Sequence, residues 1–429
     1  MIENNLPTIL LIFGITGDLA RRYLLPAINA IARVNKLPRK FKVVGITRQS
    51  DKLFYRMDTE NLEDYLKLKR YLNGIEKNFP AKAQRLFYLS VPAPAVKSIV
   101  KFLGKSGLAK GGRTKLLLEK PFGSDLPSAK GLTRDIAKYF KESQIYRIDH
   151  YLAKEMAQNI VVFRNGNSLF KKTWNSDFIE SINILGSEKI GIKDRAHFYE
   201  QTGALRDYAQ GHLLQLAALV LMDLPDQYEW KNIRDLRLLA LRKLRVARDK
   251  RGNLCVVRGQ YAGYRRESGN PKSAVETFVS FRLESSDPKW SGVPITVSTG
   301  KALDKRLTEI RIRYKKTKEQ EANELVLRLQ PDPGIEFGVF TKRPGYEREI
   351  LVHHLQFNFM EYYPDLPDAY EQVLWSALNS DHSLFASGAE ILESWRIVDD
   401  IQKSWEKSAG PSIYKKGSSI HKLQRFLNR

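Results

Sequence analysis

Thr8-Ile9-Leu10-Leu11-Ile12-Phe13-Gly14-Ile15-Thr16-Gly17-Asp18-Leu19-Ala20 is the stretch whose reading decides the fold. An apolar run over residues 8–13 predicts a buried first strand. Gly14 breaks it, and a helical pattern then runs from Asp18 to Val34. Glycine lets the chain turn tightly and lets a pyrophosphate approach the backbone. The helix N-terminus beyond it offers N–H groups and positive dipole to an anion. Two glycines alone also fit a plain strand–helix turn. The strand before and the helix after favour the phosphate-cradling reading.

The alternation continues outward from there. Apolar runs at 42–46, 86–90, 115–118 and 144–148 predict further strands, and helical patterns at 62–72, 95–103 and 128–142 lie between them. Strand–helix alternation predicts a parallel sheet covered on both faces, a doubly wound, Rossmann-like α/β domain over residues 1–148. From 151 the pattern changes. A helix is expected over 154–163, a half-buried strand over 178–184, and one long apolar helix over 203–222. Strands come next at 276–283, 295–298, 308–314 and 324–329, then helices at 369–379 and 387–403. Strands followed by strands predict a larger α+β domain with a mainly antiparallel sheet over residues 149–429. The last fifteen residues are basic and are expected to be partly mobile.

Bulk properties narrow the class. The 429 residues, 42% hydrophobic and 28% charged, suit an ordinary globular chain of two or three domains. No apolar run approaches the roughly 18 residues of a membrane span. Met1–Asn5 carries an acid and no basic region, so a secretory signal is not expected. The lone cysteine, Cys255, has no partner for an internal disulfide, which fits a reducing, cytoplasmic setting. Its apolar neighbours, Leu254 and Val256-Val257, predict a buried structural thiol. A formal charge of +23 is large. Lys and Arg are scattered, so the charge reads as solvated faces, with steering of anionic ligands as a secondary gain. Nucleic-acid contact would be incidental.

Chemistry concentrates in Arg147-Ile148-Asp149-His150-Tyr151-Leu152-Ala153-Lys154-Glu155, where an acid, an imidazole, a phenol and an ammonium come after a strand. If residues 151 onward are helical, Tyr151 and Lys154 share a face. Seven histidines are present, at 150, 197, 212, 353, 354, 382 and 421. His150 and His212 rank first because other ionisable residues adjoin them, although a histidine on an apolar helix is more often a satisfied core residue. No metal site is predicted. There is no cysteine pair and no His-x-x-x-His spacing, and His353-His354 on a strand would face opposite sides. Gly-x-Ser-x-Gly is absent, which argues against a serine hydrolase.

The nine-residue run resembles the signature of the glucose-6-phosphate dehydrogenase family, with Ala153 where the family has glycine. Further blocks agree in order: Gly14-Ile-Thr-Gly17-Asp18-Leu19, Glu119-Lys120-Pro121-Phe122-Gly123, Gly203-Ala-Leu-Arg206-Asp207-Tyr-Ala-Gln210-Gly-His212-Leu-Leu-Gln215, Arg258-Gly-Gln-Tyr261, Trp290-Ser-Gly-Val-Pro294 and Gly300-Lys301-Ala-Leu303. The resemblance implies a hydride transfer from C1 of glucose 6-phosphate to NADP, with NAD possible, at the entry to the pentose phosphate pathway. It implies that His212 is the general base and that Asp149 holds and charges its imidazole. Lys120, His150, Tyr151 and Lys154 would bind substrate, Lys120 between nicotinamide and sugar. Glu188 and Asp207 would bond sugar hydroxyls, Lys301 and Arg306 would close the phosphate site, and Gln330 would lie near the substrate. Gly14, Thr16, Gly17, Asp18, Leu19, Arg48 and Lys120 would hold the cofactor. The family acts as homodimers or homotetramers through its large sheet.

Departures from the family pattern are Gly211, where asparagine is usual, Ser298, where arginine is usual, and His197, where a small residue is usual. The segment 50–84 is shorter than its usual counterpart. Two other readings compete: a related hexose-phosphate dehydrogenase preferring NAD, and a non-catalytic basic binding protein on the same scaffold. The intact Lys120, Asp149, Lys154 and His212 speak against the second.

Cofactor choice turns on the end of the second strand, Gly45-Ile46-Thr47-Arg48. An acid there would bond the ribose 2′-hydroxyl of NAD, whereas a guanidinium makes a forked pair with the 2′-phosphate of NADP. Asp51 close by would partly neutralise it. Arg48→Ala is expected to raise KM for NADP while leaving KM for NAD nearly unchanged. Initial rates with each cofactor measure this, and an unchanged KM for NADP would defeat the assignment.

Overall fold

Thr8–Phe13 is buried along its whole length, so it belongs inside a sheet and not at its edge. The computed structural model describes residues 6–48, 53–317, 321–406 and 409–425. Its chain separates into two compact units: Met1–Ala153 with Glu229–Arg234 and Pro367–Leu392, and Lys154–Tyr228 with Asp235–Leu366 and Glu393–Arg429.

The first unit is built on β1 (Thr8–Phe13), β2 (Phe41–Thr47), β3 (Tyr55–Arg56), β4 (Gln84–Leu89), β5 (Thr114–Leu118) and β6 (Ile145–Ile148). These six strands are parallel, in the order β6-β5-β4-β1-β2-β3. A two-residue strand, Phe385–Ala386, adds antiparallel to β6. Leu10, Ile12, Leu86, Tyr88, Leu117 and Tyr146 on one face pack against Leu24, Ile28 and Ile31 from the first helix. Val373, Leu374 and Leu378 of the helix Ala369–Leu378 cover the same face. On the other face Phe13 meets Tyr65, and Tyr65 meets Phe102, with ring centroids 6.4 and 5.6 Å apart. Helices therefore cover both faces, the doubly wound arrangement the alternation predicts.

Two polar side chains tie the late helix to the sheet. The Lys115 ammonium on β5 donates to the carbonyls of Ala377 (2.5 Å) and Leu378 (3.3 Å). Cations suit a helix C-terminus, where carbonyls lack partners within the helix. Burial nonetheless lowers the Lys115 pKa to about 7. The Gln84 amide donates to Thr8 Oγ1 and to the same Leu378 carbonyl.

The second unit carries β7 (Ile179–Ser187), β8 (Leu244–Val246), β9 (Val256–Tyr261), β10 (Phe278–Ser285), β11 (Ile295–Gly300), β12 (Leu307–Tyr314), β13 (Glu324–Gln330), β14 (Gly334–Lys342) and β15 (Ile350–Asn358). The sheet order is β15-β14-β13-β12-β7-β11-β10-β9, then the short strand Ser412–Tyr414, while β8 pairs with β10. Only the β7–β11 pair and the pairing of Ser412–Tyr414 with β9 are parallel. The mainly antiparallel character expected from the strand runs is present. Among the described residues no helix is long and apolar enough to cross a membrane.

Several local expectations need correction. The helix expected over 128–142 spans Leu126–Ala137 and gives way to a 3-10 turn, Glu142–Gln144. Residues 151–154 form turns, and the helix starts at Glu155 with Lys154 in extended conformation, so the shared helical face of Tyr151 and Lys154 does not exist. The single helix expected over 203–222 is broken. Gly203 has φ +65°, Leu205–Leu213 is π-helical, and only Leu214–Leu221 is α-helical. β9, β14 and β15 escape the periodicity reading, although His353-His354 does lie on a strand. Tyr414 enters the sheet, and Ile420 and Leu423 are buried from a short helix. Cys255 is half-buried, not enclosed, because Leu254-Cys255 precedes β9.

Gly14 is the position where the turn requires glycine. Its φ is +81°, and a Cβ there would lie 2.2 Å from the Ser90 carbonyl oxygen. Gly14→Ala therefore combines a left-handed conformation with a backbone clash. It is expected to cost about 3 kcal/mol or more, read as a lower urea midpoint at unchanged m-value.

Candidate active site

In the first unit the predicted residues collect at the C-terminal ends of β1, β2, β5 and β6, the ligand edge of an open parallel sheet. The Gly14 N–H donates to the Ile46 carbonyl, and the Gly17 N–H donates back to Gly14. This tight turn carries Thr16 and Gly17 to a helix that opens with Asp18 and Leu19 and is π-wound from Ala20, the Arg21 N–H donating to the Gly17 carbonyl. A helix start after a glycine turn is suited to a pyrophosphate. Asp18 pairs with Arg22 at 2.8 Å, one turn on. Arg48 ends β2 and is exposed. Asp51, invoked as its neutraliser, lies outside the described residues.

Lys120 comes after β5 and Asp149 after β6. The Lys120 ammonium lies 3.7 Å from Asp149 Oδ2, and Asp149 Oδ1 accepts the Tyr151 N–H at 3.0 Å. The Lys120–Pro121 bond is cis. Asp149 is only 2% exposed and Tyr151 is buried, whereas His150 is half-buried. His150 stacks on Tyr370 with 6.2 Å between centroids. One residue here was not singled out by sequence reasoning. The Tyr88 hydroxyl donates to Glu119 Oε1 at 2.5 Å, beside Lys120. Burial pushes the Glu119 carboxyl up to about 7 and Asp149 adds to this, while the Tyr88 bond and Lys120 act in the opposite sense. The signal was its place in Glu119-Lys120-Pro121, next to a predicted cation at a strand end.

The second unit gathers the remaining residues around the π-helical segment Leu205–Leu213. Glu276, buried, accepts the Leu205 N–H at 3.0 Å, and Gly203 leaves room for its carboxylate. Ordinary winding at 3.6 residues per turn would set Asp207 and His212 about 140° apart, whereas i→i+5 winding turns them to nearly one side. His212 is buried, and its ring meets the Tyr208 ring edge-on, 5.4 Å away and at 79°.

Lys301, at the end of β11, is 3% exposed. It pairs with Glu188, lies 4.0 Å from Asp207 and sits over the Tyr199 ring at 5.2 Å. A buried ammonium with two carboxylates is a charged nest into which hydroxyl and phosphate oxygens fit. The Lys154 ammonium donates to Gln330 Oε1 at 3.1 Å, and the Gln330 amide donates to Thr308 Oγ1 at 2.9 Å. Arg306 is exposed, ahead of β12. His197 is exposed and bonds Gln201. Within this unit the structure brings together Lys154 with Gln330, and Lys301 with Glu188 and Asp207, with His212 on the same helical segment as Asp207.

A doubly wound unit with a glycine turn before its first helix, joined in one chain to a unit rich in paired lysines and acids, defines an oxidoreductase with a Rossmann-type dinucleotide domain. Comparison gives the family. Residues 11–53 and 50–159 match the model of the glucose-6-phosphate dehydrogenase NAD binding domain, and residues 161–427 match that of its C-terminal domain. The glucose-6-phosphate 1-dehydrogenase of Bacillus subtilis is 34% identical over 467 positions, covering 96% of this chain and 94% of its own. That of Borreliella burgdorferi is 35% identical over 440 positions, covering 92% and 91%. A solved glucose-6-phosphate dehydrogenase in complex with its substrate glucose 6-phosphate superposes with a TM-score of 0.92. It has 28% identity and 99% and 97% coverage. The chain belongs to the glucose-6-phosphate dehydrogenase family.

Glu119 gives this site a pH signature. Its folded pKa stands above the ordinary value of 4.5, so its favourable contribution is complete below pH 4.5 and is lost as pH rises through about 7. Glu119→Gln is therefore expected to gain stability over the parent between pH 4.5 and 7. The gain should level off above pH 8 at about 3 kcal/mol, measured by urea unfolding at pH 5 and pH 8. A difference independent of pH would contradict this.

Proposed function

We propose that this chain oxidises glucose 6-phosphate at C1 to 6-phospho-D-glucono-1,5-lactone, with NADP as its preferred acceptor. The observation that carries the reading is the buried Lys301 held by Glu188 and near Asp207, on the segment that also bears His212, in a chain of this family. The turn at Gly14 and the exposed Arg48 fit a dinucleotide with a 2′-phosphate. NADP, when bound, supplies the hydride acceptor.

Every other part of the reaction falls to side chains. His212 takes the proton of the C1 hydroxyl as the C1–H bond breaks, leaving the C1 carbonyl of the lactone. Asp149 orients and charges that imidazole, a role carried by the sequence match and by its burial. Lys120 faces the sugar from the strand edge. His150 and Tyr151 take the phosphate, with Lys154 beside them, and Lys301 and Arg306 close on it. Glu188 and Asp207 accept from the sugar hydroxyls, while Gln330 holds Lys154 in place. Burial of Lys301, Asp149 and His212 excludes water and keeps their charges weakly screened. A homodimer or homotetramer through the large sheet is part of the same reading, and Ile350, Val352 and Leu355 on β15 are exposed in support. So is a cytoplasmic place at the entry to the pentose phosphate pathway.

The decisive experiment follows absorbance of the reduced cofactor with glucose 6-phosphate and NADP or NAD. His212→Asn is expected to lower kcat about 10²–10⁴-fold with KM for the sugar phosphate nearly unchanged. Wild-type turnover in the variant would remove the base. Failure of the parent with both cofactors would remove the function.

A further inference from the structure

We propose that Tyr208 is a positioning residue that aims the His212 imidazole, and that Thr308 and Gly186 hold it in place. The inference rests on the reading of His212 as the base.

Three adjacent strands build the platform. Gly186 on β7 stands opposite Thr308 on β12, and Thr308 stands opposite Gln330 on β13. This row gives Tyr208 a floor and an anchor. A Cβ on Gly186 would fall 2.3 Å from Tyr208 Cε1, so the phenol ring occupies the space the missing side chain leaves. Tyr208 and Thr308 share a hydrogen bond, Oη to Oγ1, at 2.8 Å, and both residues are buried. Thr308 Oγ1 also accepts the Gln330 amide, whose carbonyl accepts the Lys154 ammonium. One hydroxyl thus joins the proposed substrate-binding lysine to the ring that abuts His212.

The backbone explains why the imidazole needs such help. Gly211 precedes His212, and glycine restricts the chain least. The segment is π-helical, without the regular i→i−4 ladder. Tyr208 is four residues before His212 and meets its ring edge-on at 5.4 Å, which fixes the plane of the imidazole. A base displaced by a fraction of an ångström still binds substrate with its neighbours but removes the proton slowly.

The test compares steady-state kinetics and melting temperature of Tyr208→Phe, Thr308→Val, Thr308→Ser and the Phe/Val double variant. Tyr208→Phe is expected to lower kcat about tenfold with KM for glucose 6-phosphate within about twofold of the parent, and Thr308→Val, which also removes the acceptor of the Gln330 amide, to lower kcat as much and to raise KM besides. Thr308→Ser, which keeps the hydroxyl, should restore kcat. The double variant should lose no more than the worse single one, because both break the same bond. Wild-type kcat in both singles, losses that multiply in the double, or a raised KM at unchanged kcat would each overturn the proposal. If Tyr208→Phe does not fold, the Val/Ser pair at 308 decides alone. Loss of turnover in His212→Asn beside full turnover in Tyr208→Phe would sink this inference only. Full turnover in His212→Asn would sink the reading beneath it.

Discussion

The second unit depends on one change of helical winding. Gly203 at φ +65° ends one helix, and the buried Glu276 carboxylate caps the Leu205 N–H that opens the next. From Leu205 to Leu213 the chain is π-wound. That winding turns Asp207 and His212 to nearly one side, which an α-helix would not do. A Cβ at Gly203 would lie 2.3 Å from Glu276 Oε1, so the cap and the break need the same glycine. Burial raises the Glu276 carboxyl above its usual range, and the Leu205 N–H works against that rise. The π-wound segment is thereby fastened at its start by a hydrogen bond and further along by Tyr208 on the sheet.

Electrostatics obey the same economy. The chain carries +23 overall, yet the cation at the proposed sugar site, Lys301, is buried and held by Glu188 with Asp207 near. Bulk charge raises the local concentration of anions over the surface, but an ordered site needs cations whose positions are set. Lys115 is the contrasting case. It too is a buried lysine, but its partners are the carbonyls at the end of the helix Ala369–Leu378, with no carboxylate among them. Its pKa falls to about 7 through desolvation alone. One lysine belongs to the proposed site and the other fastens a helix from late in the sequence to the first sheet.

The strands of the first unit were legible because each is short, apolar and bounded by a polar or glycine break, and the helices between them carry 3.6-residue periodicity. Arg48, Lys120 and Asp149 were legible for the same reason. They sit at strand ends, where position in the pattern already implies the ligand edge. β15 was not, because its residues are half-buried or exposed on both faces, and in Val352-His353-His354-Leu355 no period-2 contrast remains. The helix expected from 154 starts at Glu155, whereas the conditional reading of helix from 151 fails because the chain there is held by the turn between Asp149 and Leu152. Tyr208 and Thr308 gave no signal at all, since a tyrosine on an apolar helix and a threonine on a strand are ordinary residues until their hydroxyls meet across a hundred positions.

Sequence by itself determined the class of each sheet, the glycine turn after β1 and the identity of the ionisable groups. Apolar periodicity, glycine placement and side-chain chemistry are local properties, readable a few residues at a time. Only the tertiary structure decided the π-winding that puts Asp207 and His212 on one side, the pairing of Lys301 with Glu188, and the row Gly186–Thr308–Gln330 beneath Tyr208. Those depend on strand register and on space left by an absent side chain. Both are set by segments far apart in the chain that become neighbours only when the core closes.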